Sequence, residues 1–300
     1  MTIPKIIFVP GMKPKPPAEV HRQQLWRCLL EGVERVDPTV AASMAAHPDL
    51  LERASWTWAF YGQYRDINID LPGIETLLRQ RAPTPEDLGE ARSWRNRLLR
   101  LAYLAGDAVP FIVDSVANAD MRVTLKDVGR YVKNTQGIGD TVRADLVDRL
   151  KMADGAPVLV IGHSLGSVIA WDTLWTLSRE QRQADVSVDH FVTLGSPLGN
   201  RVIQRGLKGR NHTGLERYPD NIRRWTNIVA VGELTALDRH MANDFGEMLE
   251  LGLVEQIDDL DVYNHYRENG RLLVHSEYGY LVNATTGRLL ADWWRAHAMS

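Results

Sequence analysis

The chain has almost no cysteine. Its single thiol, Cys28, excludes an internal disulfide, and with no Cys/His cluster beside it a zinc site of ordinary spacing is excluded as well. Cys28 reads as a packing residue on the first long helix, which fits a reducing compartment. Excess positive charge is also lacking: the formal net charge is −3, which argues against a general nucleic-acid binder. No window approaches the about 18 uninterrupted apolar residues of a membrane-spanning helix. The apolar run at residues 6–9 is too short for a signal peptide, and no small-residue cleavage site follows it. The expected location is cytoplasmic, with transient contact at a membrane surface left open. There is no internal repeat, no Walker A loop and no His-Glu-x-x-His. Gln136-Gly-Ile-Gly139 lacks the preceding strand and the third glycine of a dinucleotide loop. Asp258, Asp259 and Asp261 lack the spacing of a calcium loop and read as a solvated acidic turn. We therefore expect no metal and no organic cofactor.

What remains is ordinary globular material, 44% hydrophobic and 24% charged. Short β-rich runs at 6–9, 56–61, 158–161, 190–194, 228–231 and 272–274 alternate with helical patterns. Residues 18–35 carry Val20, Leu25, Leu29 and Val33 at helical spacing, and 138–152 carry Val142, Leu146 and Leu150. Helices are also expected at 167–178 and 284–297. This alternation predicts an α/β fold, a mostly parallel central sheet flanked by helices. The span between the runs at 56–61 and 158–161 exceeds what one crossover needs. Residues 85–133, with Trp94, Leu98, Leu101 and Leu104 in helical register, are read as an inserted helical cap. The core is then 1–84 together with 134–300.

One segment carries chemistry. Val158-Leu-Val-Ile161 runs into Gly162-His-Ser164-Leu-Gly166 and then into a helical pattern. Strand, Gly-x-Ser-x-Gly and helix in that order form the context of a nucleophile elbow. A sharp turn there raises a serine Oγ at the edge of a sheet. The Leu165 amide, at the start of the helix, is the first expected oxyanion donor. The bland alternative is a glycine-rich strand-to-helix turn with an incidental serine. A second donor should come from the loop after the first strand, where Val9-Pro10-Gly11-Met12 places the Gly11 or Met12 amide. The basic stretch at 201–224 reads as a solvated loop before an anion site. Trp171 and Trp175, four apart, share a helix face and read as core.

The run Gly162-His-Ser-Leu-Gly-Ser-Val-Ile-Ala-Trp-Asp172, with Phe191-Val-Thr-Leu-Gly-Ser-Pro-Leu198 downstream, resembles the α/β-hydrolase lipases and esterases. Within that superfamily it looks most like the intracellular lipase-like branch. The resemblance implies a triad in the chain order Ser, acid, His, with Ser164 as nucleophile. His275 follows the run 272–274 and precedes the closing helix, where the family's base sits, and His275-Ser-Glu-Tyr278 resembles the family's His-x-x-Tyr. His265 is held in reserve, and His163 reads as a packing or orientation residue. The acid should follow the next-to-last core strand, which offers Glu233, just after Gly232, and Asp238 as the alternative. Pro-Gly stands at 10–11 where family members often have His-Gly, so the identity of the second donor stays open between Gly11 and Met12.

The expected activity is hydrolysis of carboxylic esters, with lipid acyl esters among the substrates considered. A thioesterase, amidase or acyltransferase would use the same residues, and a non-catalytic binding protein on this scaffold is the third alternative. The expected partner is a small acyl ester. The sequence does not set the oligomeric state.

Overall fold

The computed structural model describes residues 2–93, 119–183, 185–233 and 240–299. Six parallel strands form the central sheet in the order β2-β1-β3-β4-β5-β6. They are β1 (Lys5–Val9), β2 (Leu51–Arg53), β3 (Val158–His163), β4 (Val188–Leu194), β5 (Ile222–Ala230) and β6 (Gln256–Val262). The helices that cover the sheet or frame the site are α1 (Ala18–Glu34), α2 (Pro38–Ala45), α3 (Trp56–Tyr61), α4 (Leu71–Arg79), α5 (Pro85–Ala91), α6 (Ala119–Val132), α7 (Ile138–Met152), α8 (Leu165–Trp175), α9 (Glu277–Leu281) and α10 (Ala284–Ala298). The expected α/β class, a parallel sheet between helices, is what the chain adopts. No helix among the described residues is long and apolar enough to cross a membrane.

Burial on both faces explains the nearly continuous apolar runs of the inner strands. Ile7, Val9, Val158 and Val160 belong to a core shared with Val142 and Leu146 of α7 and Ile169 of α8. Ile6, Phe8, Leu159 and Ile161 face the opposite core, with Leu25 and Leu29 of α1 and Leu290 of α10. Cys28 is fully buried in that second core, where burial pushes its thiol up to about 12. Trp171 and Trp175 are core residues as expected, Trp171 packing on Trp225 and Phe245.

Two strand assignments and one turn need correction. Residues 56–61 are helix, and the strand beside β1 is the shorter Leu51–Arg53. The aromatic content of Trp56-Thr-Trp-Ala-Phe-Tyr61 suggests a strand, yet the buried Trp56 and Phe60 stand four apart, the spacing of one helical face. The acidic segment around Asp258, Asp259 and Asp261 is no turn. It is edge strand β6, paired on one side only; Asp261 is exposed, whereas Asp259 accepts from Asn227 of β5 and from the Met241 and Ala242 amides. Arg271–Leu272 is a two-residue strand (β8) that pairs with Arg267–Glu268 (β7) in a small antiparallel hairpin outside the main sheet. Of the expected cap, α5 and α6 are the described ends. The periodic Trp94, Leu98, Leu101 and Leu104 lie outside the described residues. At the start of α5, Thr84 accepts the Asp87 amide while Asp87 accepts the Thr84 amide, so each satisfies an amide of the helix start.

The sheet order places β2 and β3 on opposite sides of β1, so the connections leave the β1–β3 boundary in opposite directions. In open α/β sheets ligands bind at such a boundary, beyond the carboxyl ends of the strands. Gly11 follows β1 and Ser164 follows β3.

Candidate active site

Ser164 takes φ 52° and ψ −128°, a conformation that costs a non-glycine residue strain. Close packing enforces the turn. A Cβ on Gly162 would lie 2.6 Å from the Ser167 Cα, and one on Gly166 would lie 2.1 Å from the Val9 carbonyl oxygen. Both glycines of the motif thus let α8 approach the sheet more closely than any side chain allows. The Ser164 amide donates to the Leu194 carbonyl at 2.9 Å, which sets the serine beside Gly195, the residue that follows β4. Ser167 and Ser196 are engaged elsewhere: their hydroxyls meet at 2.7 Å, and the Ser167 hydroxyl also donates to the Ser164 carbonyl.

Gly195 connects the serine to the next group. A Cβ there would lie 2.9 Å from His275 Nδ1, 3.0 Å from the Tyr280 hydroxyl and 3.1 Å from Glu233 Oε2. Those three side chains are joined. His275 Nδ1 lies 2.8 Å from Glu233 Oε1, and the Tyr280 hydroxyl donates to Glu233 Oε2 at 2.8 Å while accepting the Ala230 amide at 2.9 Å. Glu233 is 1% exposed, so its carboxylate needs such donors to be tolerated in the interior. A carboxylate at Nδ1 makes that nitrogen the donor and leaves Nε2 of the neutral ring as the acceptor. No family model, no curated protein and no solved structure matches the chain.

The structure therefore brings together Ser164, the β1 loop and the His275–Glu233 pair. Asp238, the alternative acid, lies outside the described residues. The tyrosine that donates to Glu233 is Tyr280, whereas Tyr278, the last residue of His275-Ser-Glu-Tyr, directs its hydroxyl to Asp70. His265 is turned to the Gln80 carbonyl at 3.0 Å. The Leu165, Gly11 and Met12 amides donate to no acceptor among the described residues.

Sequence reasoning missed a buried polar chain behind His275. His163, read as a packing or orientation residue, sends Nε2 to the His275 carbonyl at 2.9 Å, and the two rings lie 4.7 Å apart. Its Nδ1 is 3.3 Å from Glu277 Oε2, out of line for a hydrogen bond. The other oxygen of Glu277 takes Lys15 Nζ at 2.8 Å and His21 Nε2 at 2.7 Å, and Arg53 donates to His21 Nδ1. Arginine only donates, so His21 must accept at Nδ1 and donate at Nε2. That is the neutral ring, in keeping with burial, which drives His21 down to about 4. Burial alone would raise the Glu277 carboxyl. Lys15 and His21 outweigh it and hold Glu277 well below the usual carboxylate range. The sequence signal was two polar residues, His163 and Glu277, next to motif positions.

Proposed function

We propose that the chain is a serine hydrolase of carboxylic esters, acting through an acyl-enzyme. The observation that carries this reading is the strained Ser164 turn beside Gly195, against which the His275–Glu233 pair packs. In this reading Ser164 Oγ attacks the acyl carbon while His275 Nε2 takes its proton. Glu233 holds the ring in the tautomer that accepts at Nε2 and stabilises the imidazolium that forms. The tetrahedral oxyanion is received by the Leu165 amide and by that of Gly11 or Met12. His275 then returns the proton to the leaving alkoxide, and water, activated by the same imidazole, releases the acid. The substrate is a small acyl ester, lipid acyl esters included. The lone buried thiol of Cys28 suits a reducing location such as the cytoplasm.

The test is covalent labelling with a fluorophosphonate, followed by hydrolysis of esters graded in chain length. Wild type should label at Ser164, and Ser164→Ala should lose labelling and several orders of magnitude in turnover with its circular dichroism unchanged. Labelling that persists at Ser167 or Ser196 would overturn the reading.

A further inference from the structure

The short helix α3 makes contacts that core packing does not require. Its first residue, Trp56, donates its indole N–H to the Pro10 carbonyl at 2.9 Å. The hydroxyl of its last residue, Tyr61, accepts the Lys13 amide at 3.1 Å and donates to Asp127 Oδ2 on α6 at 3.0 Å. Burial raises the Tyr61 phenol above its ordinary value, so it remains protonated and able to donate. Between these two anchors lies the Gly11–Met12 peptide.

In a trans peptide the carbonyl and the amide point in opposite directions, and no peptide in the described chain is cis. The Pro10 carbonyl faces Trp56, so the Gly11 amide is turned away from it. The Lys13 amide faces Tyr61, so the Met12 carbonyl is turned away as well. Both peptide planes flanking Gly11–Met12 are thereby set by one helix. The loop they hold is strained, because Lys13 takes φ 74°, which a lysine rarely adopts. The loop is also adjacent to the nucleophile: a Cβ on Gly11 would lie 2.9 Å from the Ser164 Cβ.

We propose that Trp56 and Tyr61 are positioning residues that clamp the loop after β1, so that its Gly11 and Met12 amides are pre-aimed at the oxyanion. The inference rests on the hydrolase reading and adds to it the source of the loop's conformation. Donors fixed in advance are worth more than donors that must reorient during the reaction, so releasing either clamp should act on the transition state and not on substrate binding.

Tyr61→Phe deletes the hydroxyl and keeps the ring; Trp56→Phe deletes the indole N–H and also shortens a buried side chain. Each should slow fluorophosphonate labelling of Ser164 and lower kcat by about tenfold, with KM within about twofold, a fraction of the loss of a whole oxyanion donor. Affinity for a trifluoromethyl ketone, which adds to the serine to form an oxyanion, should weaken in parallel. Trp58→Phe, on the exposed side of the same helix against Tyr64, should leave all three unchanged. Tyr61 is the decisive position if the buried Trp56 variant folds poorly. A lower melting temperature with wild-type labelling and kcat in Tyr61→Phe would overturn the clamp alone. A wild type that does not label at Ser164 would overturn the hydrolase reading and the clamp together.

Discussion

Gly195 is the residue against which His275, Tyr280 and Glu233 converge. Its φ is +55°, a conformation glycine adopts without strain, and its missing Cβ leaves room for His275, Tyr280 and Glu233 at once. Gly195→Ala should therefore push the imidazole off Glu233 while the sheet persists. We expect kcat to fall by two or more orders of magnitude with circular dichroism retained, consistent with the sensitivity of such sites to small displacements. Tyr280→Phe tests the same constellation more gently. It removes a donor from a buried carboxylate, and turnover should fall by about tenfold. Assays of both variants on one ester check this, and unaltered activity in Gly195→Ala would remove His275–Glu233 from the proposed mechanism. The tautomer of His275 follows from the partner of Nδ1 alone, because a carboxylate there can only accept.

At the scale of elements, the second core depends on how closely α1 and α10 cross. A Cβ on Gly287 of α10 would lie 1.9 Å from the Gly32 carbonyl oxygen of α1, and one on Gly32 would lie 2.2 Å from the Leu281 carbonyl oxygen. These contacts are to backbone, which cannot step aside as a flexible side chain can. Gly287→Ala should cost about 1–3 kcal/mol, the usual penalty for overpacking, and more if the crossing cannot relax. Urea denaturation reads this directly, and an unchanged midpoint would show that the crossing is slack. The same crossing seats α9, which carries Glu277 beneath His163, so a loosened α10 should also lower turnover.

For the molecule as a whole, acid stability should be governed by histidines buried in the neutral form. Burial lowers His190 to about 4, and His21 to about 4 as well. In the unfolded chain each titrates near the ordinary value of about 6.5. Between those values the unfolded state binds more protons than the native state, so stability rises with pH across that window. The contribution is fully present above about pH 6.5 and is lost as pH falls toward 4. Protonating one such histidine should remove about 2–3 kcal/mol of stability across the window. His190→Gln, which retains a polar group facing Thr226, should flatten the pH dependence of the urea midpoint between pH 6.5 and 4.5. An unaltered slope would exclude His190 as a contributor.

What the sequence determined by itself was local. Strand, Gly162-His-Ser164-Leu-Gly166 and helix are contiguous, so the turn and the strand runs of β1, β3 and β4 could be read without knowing their neighbours. Ile138–Met152 was legible for the same reason, since its apolar positions repeat along one face. Glu233, with Asp238 as its alternative, and His275 were singled out by order along the chain and by resemblance; the structure pairs Glu233 with His275. Contacts between distant segments decided the rest. Whether 56–61 forms helix or strand depends on which faces Trp56 and Phe60 bury, and composition does not record that. β6 is a strand because β5 offers it a partner; of its acidic residues, Asp261 is exposed and Asp259 is satisfied by Asn227 and the Met241 and Ala242 amides. Tyr280, and not Tyr278, reaches Glu233 because of the turn at α9. Glu277 meets His21 across 256 residues of sequence, and no local pattern encodes a pairing of that span. Local spacing specifies torsions and faces; a buried polar group acquires its partner only when packing excludes water from it.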